Sequence, residues 1–306
     1  MRTLLCFLAA SILAFADESS ARLSVPTMGY VFDNNAKAIR FISGVPGAAG
    51  LDGAISIDAG IDSAFVQSRA HVAIANTKEG GVALIQWNGS PRVVSLGTAL
   101  SRVTQVALNS SGDRVAISDG AAVEVWSGLT GDAAQAAAFV PDGGVTALAI
   151  KADGTVAAAT RGGSILMLTD GARTLASGGD WTALAFLPNG SLLAADGGSR
   201  NVLLIQDGGD ASVVLHVDQK PLALAASVDG TQAAVATTNS VMLVRLDGSG
   251  ASAVTCNCQA SRFEPLAGNL VLQFVDAQSG SLFILDADGA DARIMTLLER
   301  NGGAAR

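Results

Sequence analysis

The stretch VTALAIKADGTVAAATRGGSILMLTDG, residues 145 to 171, decides the fold because variants of it recur along the chain. It consists of an apolar run, a turn, a second apolar run, a polar loop and a third apolar run that ends near a glycine. Residues 103 to 128, 182 to 208 and 222 to 248 follow the same plan. The turn glycines are 42, 36, 40 and 38 residues apart, at Gly112, Gly154, Gly190, Gly230 and Gly268. A period near 40 residues with strand-sized segments is typical of β-propeller blades.

The apolar runs have the length of strands, and their turns have the residues that tight hairpins need. Asp153-Gly154, Asn189-Gly190 and Asp229-Gly230 supply the positive φ of such turns. Blades pack face to face, so inner strands are covered on both sides and favour small apolar residues such as 157 to 159, three alanines. The fourth strands, such as residues 91 to 95, are more polar, as outer edges should be.

Three weaker units complete the count of blades. Residues 62 to 98 and 261 to 298 each contain four strand-sized segments, the last of them ARIMTLL. Residues 28 to 34, 38 to 44 and 52 to 58 read as strands two, three and four of a first blade, and residues 22 to 26 could supply its innermost strand. We therefore predict an all-β, seven-bladed propeller over residues 28 to 298, with six or eight blades as alternatives. Residues 17 to 27 are expected to form a linker or closing strand, and 299 to 306 a flexible tail.

The first residues have the pattern of a secretory signal peptide. One basic residue precedes an apolar run from Thr3 to Phe15, and Ala14 and Ala16 form a small-x-small cleavage site. An apolar run of about 13 residues is too short to span a bilayer, and no later segment reaches transmembrane length. We expect residues 1 to 16 to be removed and the mature protein to be periplasmic or secreted, with no membrane span.

Charge and cysteine content restrict the partners. Without Arg2 the chain has 18 basic and 27 acidic side chains, a net charge of −9, which argues against nucleic acid. Cys256 and Cys258 remain after cleavage, and in an oxidising compartment they form either a strained local disulfide or a pair of free thiols. A zinc site lacks the further ligands that it needs.

Two segments carry a family resemblance. VEVWSG (123 to 128) and ALIQWNG (83 to 89) resemble the third strand of WD40 repeats, where Trp is followed by Asp. The Asp-Gly and Asn-Gly turns followed by an apolar strand that ends in Asp look like those of the WD40, YVTN and NHL group of exported bacterial propellers. The resemblance implies a rigid binding platform, since enzymes are a minority of that group.

Ligands of such propellers usually contact loops around one mouth of the channel. The candidates that we draw from those loops and from the links between blades are Asp33, Asp119, Arg161, Trp181, Asp196, Arg200 and Asp276. A ring of carboxylates can hold a hard cation such as calcium. The competing interpretation is that Asp33, Asp119, Asp196 and Asp276 cap the loops that they begin. Trp181 is the best candidate for an exposed aromatic contact.

No catalytic motif is found in the sequence. His71 and His216 are expected to lie away from the channel mouth, and a G-x-S-x-G elbow, a Walker loop and HExxH are missing. We therefore predict a non-enzymatic platform for a protein, peptide or other extracellular ligand, with no cofactor. The alternative is a cation-dependent hydrolase or lactonase with at least three carboxylates at the channel mouth. A quinoprotein dehydrogenase is disfavoured because its tryptophan-docking repeat is missing.

Overall fold

The computed structural model describes residues 26 to 169, 171 to 289 and 291 to 299. These residues form seven four-stranded sheets arranged as the blades of a propeller, which confirms the predicted all-β class and the blade count. Within those ranges the only helical element is one 3-10 turn, Ser68–Ala70. Across the same ranges, no helix has the length and apolar character needed to cross a membrane.

The strands of the first three blades follow one another in chain order. The first blade contains β1 (Thr27–Asp33), β2 (Ala38–Ser43) and β3 (Gly50–Ala54). The second contains β4 (Ile61–Gln67), β5 (Val72–Thr77), β6 (Val82–Gln86) and β7 (Arg92–Ser95). The third contains β8 (Gln105–Leu108), β9 (Arg114–Ser118), β10 (Val123–Ser127) and β11 (Ala134–Phe139).

The remaining blades repeat this arrangement. The fourth contains β12 (Val145–Ile150), β13 (Val156–Thr160), β14 (Ser164–Leu168) and β15 (Ala172–Ser177). The fifth contains β16 (Trp181–Phe186), β17 (Leu192–Asp196), β18 (Asn201–Ile205) and β19 (Ala211–His216). The sixth contains β20 (Ala223–Ala226), β21 (Gln232–Ala236), β22 (Ser240–Arg245) and β23 (Gly250–Thr255). The seventh contains β24 (Glu264–Pro265), β25 (Val271–Val275), β26 (Leu282–Asp286) and β27 (Arg293–Thr296).

Turn chemistry fixes the period of the repeat. All five turn glycines have positive φ, for example +96° at Gly154 and +88° at Gly190, a conformation that side chains rarely tolerate. In the same turn Asp153 Oδ1 accepts a hydrogen bond from the Thr155 amide at 2.8 Å. The first and second strands of a blade therefore meet on one face of the ring, which we call the turn face. The links between blades and the loops between second and third strands lie on the opposite face, the link face.

The core is divided among the interfaces between blades. Seven clusters of buried apolar side chains occur in the described residues, and each joins two neighbouring blades. The second strands contribute to both of their interfaces, and in β13 residues 157 to 159 are all 0% exposed. Small alanines let neighbouring sheets approach closely, which explains the composition of the repeat.

The first blade is completed differently from the others. The Ser68 hydroxyl donates to Tyr30 O at 2.8 Å and accepts from the Tyr30 amide at 2.9 Å. The Ala267 amide donates to Met28 O at 3.1 Å. These contacts cover the inner edge of β1, while β4 and β24 contact each other in front of it. Strand β1 thus has the second-strand position predicted for it, and six first strands, β4, β8, β12, β16, β20 and β24, surround the axis.

The last strand of the chain closes the ring. The prediction that ARIMTLL forms a single strand is wrong. Strand β27 ends at Thr296, and β28 (Leu298–Glu299) pairs in parallel with β3 of the first blade. Leu297, between them, is buried in the cluster shared by blades 7 and 1. Strands therefore extend one residue beyond each predicted limit of the domain. The predicted signal peptide and residues 22 to 25 of the proposed innermost strand lie outside the described residues, as do residues 300 to 306 of the predicted tail.

Candidate functional site at the central channel

The six first strands enclose a channel of about 980 Å³. Its wall consists mainly of alanine, leucine, valine and phenylalanine side chains, including Ala107, Leu148, Ala185 and Ala225, which are half-buried. The small side chains of the three alanines keep the channel open. A cavity of this size with apolar walls is typical of ligand sites in proteins.

Polar groups lie at both ends of the channel. Because the first strands all run in the same direction, their first residues lie at the link face and their following turns at the turn face. Threonines lie at the first end, and Lys151, Asp153 and Asn189 lie in the turns at the second. Lys151 Nζ lies 5.1 Å from the centroid of the Phe186 ring. The channel thus has apolar side chains along much of its wall and several polar groups near each opening.

Hydrogen bonds between blades hold the link-face opening. Gln105 Nε2 donates to Val145 O at 3.1 Å, Thr146 Oγ1 to Trp181 O at 3.0 Å, and Thr182 Oγ1 to Pro221 O at 2.8 Å. Each of these bonds joins the first strand of one blade to the start of the next. These bonds therefore join four successive blades, from the third to the sixth, in an arc around the opening.

An ion pair interrupts the apolar wall where blades 7 and 2 meet. Arg262 Nη2 lies 2.8 Å from Glu264 Oε1, and the guanidinium lies 4.2 Å from the centroid of the Phe65 ring. Glu264 is 7% exposed, accepts from the Val66 amide at 3.4 Å, and also accepts from Gln273 Nε2. Burial raises the pKa of Glu264, while Arg262 acts in the opposite direction. A buried carboxyl with a raised pKa beside a cavity is a common property of functional sites.

The four predicted aspartates cap the loops that they begin. Asp33 accepts from the Asn35 and Ala36 amides, and Asp119 from those of Ala121 and Ala122. Burial disfavours the ionised form of Asp119, but these backbone hydrogen bonds outweigh it and lower its pKa.

Asp196 and Asp276 show the same arrangement with an added serine. Asp196 accepts from the Ser199 hydroxyl at 2.6 Å and Asp276 from the Ser279 hydroxyl at 2.6 Å. In both cases burial opposes ionisation, but the serine hydroxyl and backbone amides lower the pKa. The carboxylates are therefore ionised, and each is bonded to its own blade.

The other predicted site residues lie on different segments of blades 4 and 5. Arg161 and Arg200 are exposed on the loops after β13 and β17, and Arg200 Nη1 donates to Asp218 O at 2.9 Å. Trp181 is 6% exposed, so the prediction of an exposed aromatic contact is wrong. Its indole packs under Gly179 and its Nε1 donates to Gly163 O at 2.8 Å, which uses its polar atom inside the fold.

The geometry offers no obvious cation centre among the residues that the structure describes. Within 26 to 169, 171 to 289 and 291 to 299, no group of three or more His, Cys, Asp or Glu side chains is close enough to hold a metal ion. The predicted carboxylates are distributed over blades 1, 3, 5 and 7, each on its own loop. A calcium site at this face remains a prediction.

Cys256 and Cys258 are joined by a disulfide after β23. Their Cα atoms are 5.1 Å apart, and Cys258 is buried against the cluster between blades 6 and 7. Of the arrangements that the sequence left open, the structure has the disulfide. The bridge fixes the link that leads into the channel strand β24.

Sequence reasoning did not select the ion pair in the channel wall as a site. The signal was present, because the segment SRFEPLA places two charged residues two positions apart in a strand expected to be apolar. Residues two apart lie on the same side of a strand, so Arg262 and Glu264 could have been predicted to meet. Their contact with the second blade depends on ring closure, which no local pattern specifies.

No protein-family model matches the chain, and no curated protein sequence matches it. Several solved structures resemble it. A catalytically inactive virginiamycin B lyase from Staphylococcus aureus with quinupristin has a TM-score of 0.58 at 14% identity, over 80% of this chain and 86% of that one. A streptogramin B lyase has a TM-score of 0.61 at 12% identity, over 80% and 86%. Selenomethionine-substituted virginiamycin B lyase from Staphylococcus aureus has a TM-score of 0.58 at 15% identity, over 79% and 84%.

Identities this low show the fold alone. The predicted resemblance to the WD40, YVTN and NHL group has no sequence match behind it. The chain is a seven-bladed β-propeller with structural neighbours of the streptogramin B lyase type.

Proposed function

We propose that this protein is an exported, non-enzymatic binding platform whose protein or peptide ligand inserts an apolar segment into the central channel. The observation that carries the proposal is the open channel of about 980 Å³, with apolar walls from six blades and polar groups at both ends. An extended peptide suits this shape, because its side chains can contact the walls while its ends reach polar groups.

The arc of hydrogen bonds from the third to the sixth blade supports the idea of a rigid platform. A site that is already formed loses little conformational entropy on binding, so affinity depends on the fit of the ligand. The bonds from Gln105, Thr146 and Thr182 lie at the opening through which a ligand would pass. A ligand would therefore meet a preformed entrance.

Peptides selected from a random displayed library against residues 17 to 306 test the platform. We expect selected peptides to lose at least tenfold in affinity for Leu148→Arg and for Ala225→Gln, which place polar groups in the channel wall. The matched control is Val213→Arg on the outer strand β19, where the side chain is 58% exposed and a charge reaches solvent. Thermal unfolding of each variant checks that it is folded. Selected peptides that bind the channel variants and the control equally would contradict the proposal.

An enzymatic function is the second candidate, because the structural neighbours are lyases. The predicted alternative, a cation-dependent hydrolase or lactonase, requires carboxylates to converge at the channel mouth. Metal analysis of the purified protein, with thermal unfolding in calcium and in a chelator, tests it. The platform predicts an unchanged unfolding temperature, while stoichiometric metal with a calcium-dependent rise would favour the hydrolase. Mass spectrometry of the selected peptides after incubation detects any turnover.

Export is part of the same proposal. The pattern of residues 1 to 16 supports it, and so does the Cys256–Cys258 disulfide, since such bonds persist in oxidising compartments. Expression of the full chain in a bacterium, followed by N-terminal sequencing, should give a mature protein that begins at Asp17. An intact Met1 on protein retained in the cytoplasm would contradict export.

A further inference from the structure

A second, smaller cavity lies beside the channel at the seam between blades 7 and 1. Its volume is about 300 Å³. Asn34 contributes from the loop after β1, and Arg262, Glu264, Gln273 and Asp276 contribute from blade 7. Arg262 and Glu264 line both cavities, so this pocket adjoins the channel wall.

Gln273 gives the pocket an unused acceptor. Its side chain is 1% exposed, and its Nε2 donates to Glu264. Its Oε1 is buried and accepts no hydrogen bond from any group in the described part of the chain. Buried acceptors are nearly always satisfied, so this oxygen is suited to a donor supplied by a ligand.

The pocket also contains a carboxylate that has no counter-ion in the part of the chain that the structure describes. Glu264 is paired with Arg262 at 2.8 Å, whereas Asp276 forms no ion pair among the residues described. Asp276 is 5% exposed, and hydrogen bonds from Ser279 and the Gln259 amide help to keep it ionised. Arg262 is paired with Glu264, so within the described ranges Asp276 is a carboxylate without a counter-ion in a nearly buried space. Hydrogen bonds stabilise the charge of Asp276, and a cationic ligand would add an ion pair to them.

We propose that this pocket binds the primary ammonium group of a small organic amine. An ammonium supplies three N–H donors and one positive charge. These match the unpartnered Gln273 Oε1 and the unpaired charge of Asp276. The apolar side chains of Phe274 and Val275, which also line the pocket, suit a short aliphatic chain on the amine. The proposal does not depend on what the channel binds.

Calorimetric titration of residues 17 to 306 with n-butylammonium chloride tests this site. We expect saturable binding at one site per chain, and binding of n-butanol that is at least tenfold weaker, since it has the same chain without the charge. This comparison uses the unaltered protein, so it does not depend on whether a variant folds. No saturable binding up to about 10 mM, tenfold above a Kd of about 1 mM, would overturn the proposal.

Matched variants locate the binding. Asp276→Asn should weaken n-butylammonium binding at least tenfold. Asp196→Asn is its control, because Asp196 caps the equivalent loop of blade 5 with the equivalent serine but does not line the pocket. Equal affinity in these two variants would place the amine elsewhere and overturn the proposal. The channel variant Leu148→Arg should leave amine binding unchanged, so failure of the platform and failure of this site give different results.

Discussion

Blades 2 to 7 and the first blade consist of similar short strands, but different interactions stabilise them. The six regular blades are held by backbone ladders and by small side chains that nest between sheets. The first blade depends on the Ser68 hydroxyl at its inner edge and on the two-residue strand β28 at its outer edge. Many interchangeable contacts stabilise the regular blades, whereas a few particular side chains stabilise the seam. Single substitutions should therefore act unequally in the two regions.

The largest effect is expected for Arg40→Met at the seam. Arg40 Nη1 lies 3.1 Å from Asp33 and 2.9 Å from Glu299, and its Nε donates to Asp52 O. The substitution leaves Asp33, whose side chain is 7% exposed, without its cation. Removing one partner of a buried pair typically costs about 3 kcal/mol or more of unfolding free energy. Urea unfolding measures the loss.

Arg173→Met is the control in a regular blade. Its side chain is 56% exposed and lies 3.7 Å from Asp207, so the expected cost is below about 1 kcal/mol. Equal losses for Arg40→Met and Arg173→Met would remove the distinction between seam and regular blades.

The next effect concerns the small side chains of the regular blades. Ala158→Leu adds three carbons where the residue is 0% exposed between two sheets. Overpacking of this kind costs about 2 kcal/mol. Ala136→Leu on the exposed outer strand β11 should change stability by less than about 0.5 kcal/mol. If urea unfolding finds both variants as stable as the parent, the sheets do not need alanine in order to nest.

A smaller loss is expected for Ser68→Ala. One buried hydroxyl serves both the amide and the carbonyl of Tyr30, and its removal leaves both without a partner. We expect a cost of about 1.5 kcal/mol. Thr146→Val removes a single bond to Trp181 O between regular blades and should cost less than about 1 kcal/mol. A larger loss for Thr146→Val in urea unfolding would reverse the assignment of the weaker region.

The smallest effect is a pH dependence in a regular turn. Hydrogen bonds from Ser227 and Thr231 lower the pKa of Asp229 to about 2 from its ordinary value of 3.8. Because the folded pKa is below the unfolded one, the stabilisation is complete above pH 3.8 and is lost as the pH falls through about 2. The Asp229→Asn variant should therefore lose less stability than the parent in urea unfolding between pH 4 and pH 2. If the unfolding free energies of the parent and of Asp229→Asn fall equally between pH 4 and pH 2, the hydrogen bonds of Asp229 are not the cause of the pH dependence.

The sequence was sufficient for the repeat but not for the seam. Gly154 and Gly190 recur with Asp or Asn before them, and turn chemistry is local, so the blades and their strand order could be predicted. The hydrogen bonds between Ser68 and Tyr30 join residues 38 positions apart, and the pairing of β28 with β3 joins residue 298 to residue 50. The β28 pairing depends on the closed ring, and the Ser68 contact depends on one particular side chain, so neither leaves a periodic signal.

The candidate site likewise contains features that local sequence predicts and features that it does not. Loop capping by Asp119 and Asp196 follows from local hydrogen bonding and was one of the two interpretations that the sequence offered. The Arg262 to Glu264 pair and its contact with Phe65 require blade 7 to meet blade 2, so they became visible only in three dimensions. Trp181 was misjudged because the indole folds back under its own link, where Gly179 makes room for it.

The division of the apolar core into interfaces also determines the order in which this protein can fold. Each blade can dock on its predecessor soon after it is made, because the residues involved are near in sequence. The interface between blades 7 and 1 is different, since it brings Met28 and Leu51 against Leu266 and Leu297. Contacts so distant in sequence form slowly. Before they form, two apolar faces remain exposed to other chains. Closing the circle should thus be the slow and aggregation-prone step, and amide exchange at Ala267, which donates to Met28 O across this interface, would follow it during refolding.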